Sequence, residues 1–232
     1  MPSVRYLRVA LGLLLARAPI IGASQAEGSL RVDTLDHGRF GQVVVYRRHE
    51  HPSRVVLFVS GDGGWNRGVV RMAEELAGLD ALVVGIDIRH YLRAMPATGA
   101  RCSYPAADFE GLSQWIQQRV GFAAYVAPVL VGYSSGASLV YAILAQAPPG
   151  TFQAGLGLGF CPFLRGRQPL CAGSGHAATL ATSSRRLRLR PVATVASPWI
   201  VLQGEIDRSC PAFIRSPLER PRCSAYCSAV LA

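Results

Sequence analysis

Apolar residues run through the middle of the chain in two rhythms. Continuous, β-branched-rich runs appear at Arg54 to Ser60 (RVVLFVS), Ala81 to Ile86 (ALVVGI) and Ala127 to Gly132 (APVLVG). A run that does not alternate with polar residues predicts a strand covered on both faces. Between the runs, apolar residues recur at helical spacing. Val69, Met72, Leu76 and Leu79 mark a helix over 68–79, and Phe109, Leu112, Trp115 and Ile116 mark one over 106–120. A third helix is predicted over 136–146, with further strands at 154–160 and 199–203. Two short strands, 30–35 and 42–46, flank a turn at His37-Gly38. Alternating strands and helices predict an α/β domain with a mostly parallel sheet and helices on both faces. In such sheets chemistry sits at the carboxyl ends of the strands. The basic, loop-like stretch 165–191 reads as an insertion between strands rather than a second domain.

The N-terminus has a different character. Arg5 and Arg8 precede an apolar stretch, Val9 to Leu15, and Ser24-Gln25-Ala26 supplies small residues for cleavage. This predicts a secretory signal at 1–26. Arg17 and Pro19 interrupt the run short of a membrane span. Export places Cys102, Cys161, Cys171, Cys210, Cys223 and Cys227 in an oxidising compartment, the periplasm. Cys161 with Cys171, and Cys102 with Cys210, are candidate pairs, and sequence leaves the connectivity open. Only Cys223 and Cys227 are close, with no His pair following, so disulfides are favoured over a metal site and no cofactor is expected.

Composition narrows the class. Half the residues are hydrophobic and 16% are charged, which excludes a disordered chain. The net charge is +10, and every basic residue is Arg. That favours anionic partners, although charge alone speaks to association rather than to fold.

Candidate chemistry centres on Gly132-Tyr133-Ser134-Ser135-Gly136, which fits G-x-S-x-G between a buried strand and a helix. A nucleophile elbow needs that context and small flanking residues. Ser134 is the candidate nucleophile, and the Ser135 N–H is one oxyanion donor. Gly61-Asp62-Gly63-Gly64-Trp65-Asn66 follows the strand 54–60, where glycine backbone can approach a substrate oxygen, and Gly63 is taken as the second donor. Asp207 follows the strand 199–203 and suits the acid of a Ser, Asp, His order, with Glu205 as its competitor. The histidine that should follow Asp207 is missing. His37, His49, His51, His90 and His176 all lie upstream, and His90 and His176 read as surface residues.

Together, FVSGDGGWN, VVGIDIRHYL, PVLVGYSSGASLVYA, LGFCP with PLC, and SPWIVLQGEIDRSCP resemble the bacterial virulence family of VirJ and AcvB, from Val55 to Pro211. The resemblance implies an α/β-hydrolase fold and export to the periplasm. It implies a link to type IV secretion and virulence, and AcvB-type hydrolysis of lysyl-phosphatidylglycerol. It carries the nucleophile onto Ser134 and the acid onto Asp207. After Pro211 the chain departs from the family pattern. The tail 212–232 reads as irregular, like a shifted frame, so the last strand, last helix and catalytic histidine are expected to be lost. The domain is expected over 27–211.

Two functions follow as expectations. One is a periplasmic serine esterase whose substrate is an aminoacylated anionic phospholipid, with peripheral membrane contact; the basic loop 185–190 would attract the phosphate, unless it is merely solvated surface. For want of a base this chain is expected to be a weak or inactive copy. The other is a non-enzymatic accessory protein that binds secretion components or exported proteins. Nucleic acid is not expected as a partner, because aromatic and basic residues are not interleaved and export argues against it.

Overall fold

The computed structural model describes residues 28–95, 99–166, 168–173, 180–181, 186–192, 195–204, 207 and 229–231. The predicted leader at 1–26, His176, Cys210, Cys223, Cys227 and most of the 212–232 tail lie outside them. The strands are β1 (Arg31–His37), β2 (Gly41–Arg47), β3 (Arg54–Val59), β4 (Ala81–Ile86), β5 (Val129–Tyr133), β6 (Ala154–Leu158), β7 (Phe163–Arg165), β8 (Leu180–Ala181), β9 (Arg186–Arg188), β10 (Trp199–Gly204) and β11 (Ala229–Leu231). The helices are α1 (Arg67–Ala77), α2 (Ile88–Ala94), α3 (Pro105–Val120) and α4 (Ser135–Gln146).

Among the described residues the main sheet has the order β1-β2-β4-β3-β5-β6-β10-β11. It is antiparallel at β1–β2 and β2–β4 and parallel from β4 to β11. This is the mostly parallel sheet that the alternation predicts, in the α/β-hydrolase-like form that the family resemblance implies. Its two faces are visible within single strands, because successive side chains point to opposite sides. Val55, Leu57 and Val59 of β3 join Leu82, Val84 and Ile86 of β4 in the core beneath α3 and α4. Val56, Phe58 and Val83 join Val69, Ala73 and Ala77 of α1 in the opposite core. α1 stops at Ala77, so Leu79 leaves the predicted apolar stripe and is 63% exposed.

Four features depart from the sequence reading. Residues 88–94 form a helix, with Asp87 as its N-cap accepting from the Arg89 and His90 amides. The 165–191 insertion is not all loop: β7, β9 and β8 make a small antiparallel sheet of their own. Three-residue strands are too short to show a period. The tail read as irregular supplies β11, paired parallel along the open side of β10, so an edge strand is present where the last strand was expected to be missing.

The fourth departure is the cysteine pairing. Cys102 is bonded to Cys171, with 4.9 Å between their Cα atoms. Cys171 is therefore not the partner of Cys161, nor Cys210 that of Cys102. The pair is set by a non-local contact: Ser103 bridges Leu170, and the Cys171 amide donates to the Ser103 carbonyl at 2.9 Å. Cys161 is also disulfide-bonded. On the far side of the core, Arg39 pairs with Asp108 at 3.1 Å, and the Tyr91 hydroxyl donates to the same carboxylate at 2.8 Å. Burial raises the Asp108 pKa above the ordinary carboxylate range.

Candidate active site

The elbow forms where β5 meets α4. Ser134 links them with φ 55° and ψ −120°, and besides Asp80 it is the residue other than glycine with positive φ among those described. Such a conformation is costly for a residue with a β-carbon, so the surrounding structure has to hold it in place. It is held by packing that only glycine permits. A β-carbon on Gly132 would lie 2.4 Å from the Gly136 backbone, and one on Gly136 would lie 2.4 Å from the Val59 carbonyl oxygen. The Ser134 amide donates to the Leu158 carbonyl of β6 at 2.7 Å, which ties the turn to the next strand. The side chain is half-buried, and Tyr133 beside it is 42% exposed.

Ser135 is the first residue of α4, so its amide is among the helix donors without an intrahelical acceptor. Its Oγ is buried with no hydrogen-bond partner. The helix N-terminus and this amide give the elbow a positive electrostatic end suited to a developing oxyanion.

The glycine loop after β3 reaches the elbow through Gly61. A β-carbon there would sit 3.1 Å from the Ser134 β-carbon and 3.2 Å from the Tyr133 carbonyl oxygen. Gly63 lies further out, exposed, and faces Asn66. Gly64, at φ 75°, closes a turn whose amide donates to the Gly61 carbonyl at 2.9 Å. The loop is fastened at its far end twice. The Trp65 amide donates to Asp87 Oδ2 at 3.1 Å, and the indole lies against Gly85 of β4, where a β-carbon would approach it to 2.1 Å. The indole N–H donates to the Tyr46 hydroxyl at 3.1 Å. Asp87 and Gly85 support this loop, and sequence reasoning missed both. A glycine inside the buried run ALVVGI was the available signal of a close approach.

Asp207 stands beyond β10, two strands from β5 and about 10 Å away at ordinary strand spacing. It shares the carboxyl edge of the parallel strands with Ser134. Its amide donates to the Gly204 carbonyl at 3.1 Å, and Gln203 Nε2 donates to its Oδ2 at 2.5 Å. Its competitor Glu205 lies outside the described residues.

The four described histidines lie elsewhere. His37 stacks on Trp115 at 4.3 Å, and burial lowers its pKa. His49 and His51 lie between β2 and β3, at the opposite end of the parallel strands. His90 covers Gly41 at the start of β2, three strand positions from β5, or about 14 Å. The structure thus brings Ser134, Ser135 and the Gly61–Trp65 loop together, sets Asp207 on the same edge, and puts no described histidine between β3 and β10. A cavity of about 460 Å³ near Phe152, Gln153 and Ser197 opens at the other end of the strands and is not part of this site.

Comparison with known proteins agrees with this geometry. Residues 53–155 match the family model described as bacterial virulence protein (VirJ). That segment contains the glycine loop and the whole elbow. No curated protein matches the sequence. Among solved structures, a protein assigned as a dienelactone hydrolase from Klebsiella pneumoniae subsp. pneumoniae is similar over 79% of this chain and 76% of its own, at 14% identity and a TM-score of 0.52. A lipase/esterase from Lactobacillus plantarum covers 79% of this chain and 80% of its own, at 17% identity and a TM-score of 0.47. The first likeness shows the fold alone.

Proposed function

From the match of residues 53–155 to the bacterial virulence protein (VirJ) family model, we propose that the chain belongs to that family and is an extracytoplasmic serine hydrolase. One observation carries this reading: Ser134 is held at positive φ on a strand-to-helix turn built from glycines that tolerate no side chain. A turn that only supplied a connection would have no need of a strained serine. Ser134 Oγ attacks an ester carbonyl, and the Ser135 amide with the glycine-loop backbone holds the oxyanion. The C–O bond to the alcohol breaks and the alcohol leaves with a proton. Water then attacks the acyl-serine and frees the acid. Asp207 orients the base that takes the Ser134 proton, and none of the four described histidines is placed to be that base.

The substrate class follows from the family resemblance: the aminoacyl ester of an aminoacylated anionic phospholipid, of the lysyl-phosphatidylglycerol kind, met in the periplasm. The Cys102–Cys171 disulfide supports an oxidising compartment. The test is labelling by a fluorophosphonate, followed by release of the amino acid from aminoacylated phosphatidylglycerol. The parent chain labels at Ser134 and Ser134→Ala does not. Absence of label in a folded parent chain would refute the hydrolase reading.

The placement of the described histidines favours a second reading, an accessory protein that binds type IV secretion components or exported proteins on the same scaffold. A binding protein keeps its virulence phenotype in Ser134→Ala, whereas an enzyme loses it.

A further inference from the structure

Strand β10 turns Trp199, Val201 and Gln203 to one face and Ile200, Leu202 and Gly204 to the other. The first face is the buried one. Trp199 and Val201 join the core beneath α4, and Gln203 is 4% exposed. The alternation of β10 therefore puts an amide where it calls for a third apolar side chain.

That amide is only half satisfied. Its Nε2 donates to Asp207 Oδ2 at 2.5 Å, whereas its Oε1 is buried with no hydrogen-bond partner among the described residues. An ionised carboxylate only accepts, so the NH2 end must face Asp207 and the carbonyl end is the one left over. A buried acceptor without a partner lowers stability, and an apolar residue of the same size would not. Packing thus gives no reason for a glutamine at 203. The bond to Asp207 does.

The bond also lies level with the elbow. Tyr133 of β5 stands beside Leu158 of β6, and Leu158 beside Leu202 of β10. One residue further along, Ser134, Gly159 and Gln203 continue that row. The Ser134 amide donates to the Leu158 carbonyl, and the Gly159 amide to the Leu202 carbonyl at 2.9 Å, so all three strands are tied at this height. Gln203 is two strand spacings from Ser134, about 10 Å at the backbone. The chain then turns after β10, where the Asp207 amide donates to the Gly204 carbonyl. That backbone bond sets where Asp207 begins and leaves its two side-chain torsions undetermined. Gln203 supplies a donor anchored in the core, which restricts both.

We propose that Gln203 is a positioning residue: its buried amide holds Asp207 Oδ2 and so fixes the plane of the carboxylate on the edge it shares with Ser134. This rests on the serine hydrolase reading and adds to it a residue that acts only through Asp207.

The experiment compares the full-length parent with Gln203→Met, Asp207→Ala and the double variant. Methionine has the length of glutamine and no donor. Three quantities are read: the rate of fluorophosphonate labelling at Ser134, the urea midpoint, and the exchange of the Gln203 side-chain amide protons. Gln203→Met labels about tenfold more slowly, as loss of a hydrogen bond to a charged group implies. Its midpoint is equal to the parent's or higher. In the Asp207→Ala background the same substitution has no further effect, because the group it acts on is gone. The Gln203 amide protons exchange faster in Asp207→Ala than in the parent. A glutamine that only filled space would slow labelling by one factor in both backgrounds, or lower the midpoint in step with the rate. Either result overturns the proposal. So does Gln203→Met labelling at the parent rate, or amide exchange indifferent to Asp207. An unlabelled parent chain sinks the hydrolase reading instead, whereas a labelled parent with an equally labelled Gln203→Met sinks the positioning role alone.

Discussion

The strain at Ser134 gives a prediction that depends on a single β-carbon. The φ 55°, ψ −120° conformation costs a residue with a side chain about 1–3 kcal/mol, and glycine is largely spared that cost. Ser134→Gly should therefore raise stability by about 1 kcal/mol in urea unfolding, whereas Ser134→Ala, which keeps the β-carbon, should not. Equal midpoints for the two variants would show that the turn is unstrained. Both variants lose labelling, so the pair separates strain from chemistry. The elbow was legible in the sequence because its spacing is steric. Gly132 and Gly136 stand where a β-carbon would strike backbone, and the pattern around Ser134 follows from that. The glycine loop was legible only as a loop. With Gly61, Gly63 and Gly64 all available, nothing in the sequence says that Gly61 is the one facing Ser134. The place of Asp207 beyond β10 was legible from the apolar run before it, and its chemical role was not.

At the scale of elements, the long apolar runs and long helices could be read because each spans enough residues to show a period. The seven residues of α2 and the three-residue strands β7, β9 and β11 could not. For α2 the one local signal was Asp87, which caps the helix and also receives the Trp65 amide. One carboxylate thus joins a helix start to the loop that borders the elbow. Asp87→Ala removes a cap and leaves the Trp65 amide without its partner, so it should cost about 1–2 kcal/mol. It should also slow Ser134 labelling, because the loop loses one of its two fastenings. Asp87→Asn has a single acceptor oxygen, so it keeps either the helix cap at Oδ1 or the Trp65 bond at Oδ2 and should recover only part of the stability and the rate. A labelling rate unchanged in a destabilised Asp87→Ala would mean that the loop is held by Trp65 in its Gly85 notch alone. That notch is a second case of close approach visible in sequence only as a glycine inside a strand run.

Across the whole molecule, the Cys102–Cys171 bond spans 69 residues and connects the segment before α3 to the insertion that carries β7–β9. Its pairing was not legible, because it depends on the Ser103–Leu170 bridge, a contact no local pattern announces. The bond lies over Gln146, which is 1% exposed and donates to the carbonyls of both Ser103 and Cys171, the latter at 2.8 Å. Closing a loop of that length restricts the unfolded chain by about 4 kcal/mol in the loop-entropy view, and measured losses for native bonds run about 2–5 kcal/mol. Cys102→Ser/Cys171→Ser should therefore lower the unfolding free energy within that range, read as a shift of the urea midpoint at constant slope. The loss should also be uneven. β3 and β4 lie in the centre of the sheet and open only with global unfolding, so their amides should exchange faster by the global amount alone. The Leu187 and Leu189 amides should exchange faster by more, because the insertion is tethered by the bond as well as by Gln146 and Tyr141. Uniform acceleration throughout would mean that the bond acts only on the unfolded chain. An unchanged urea midpoint would mean that the hydrogen bonds around Gln146 hold the insertion without it.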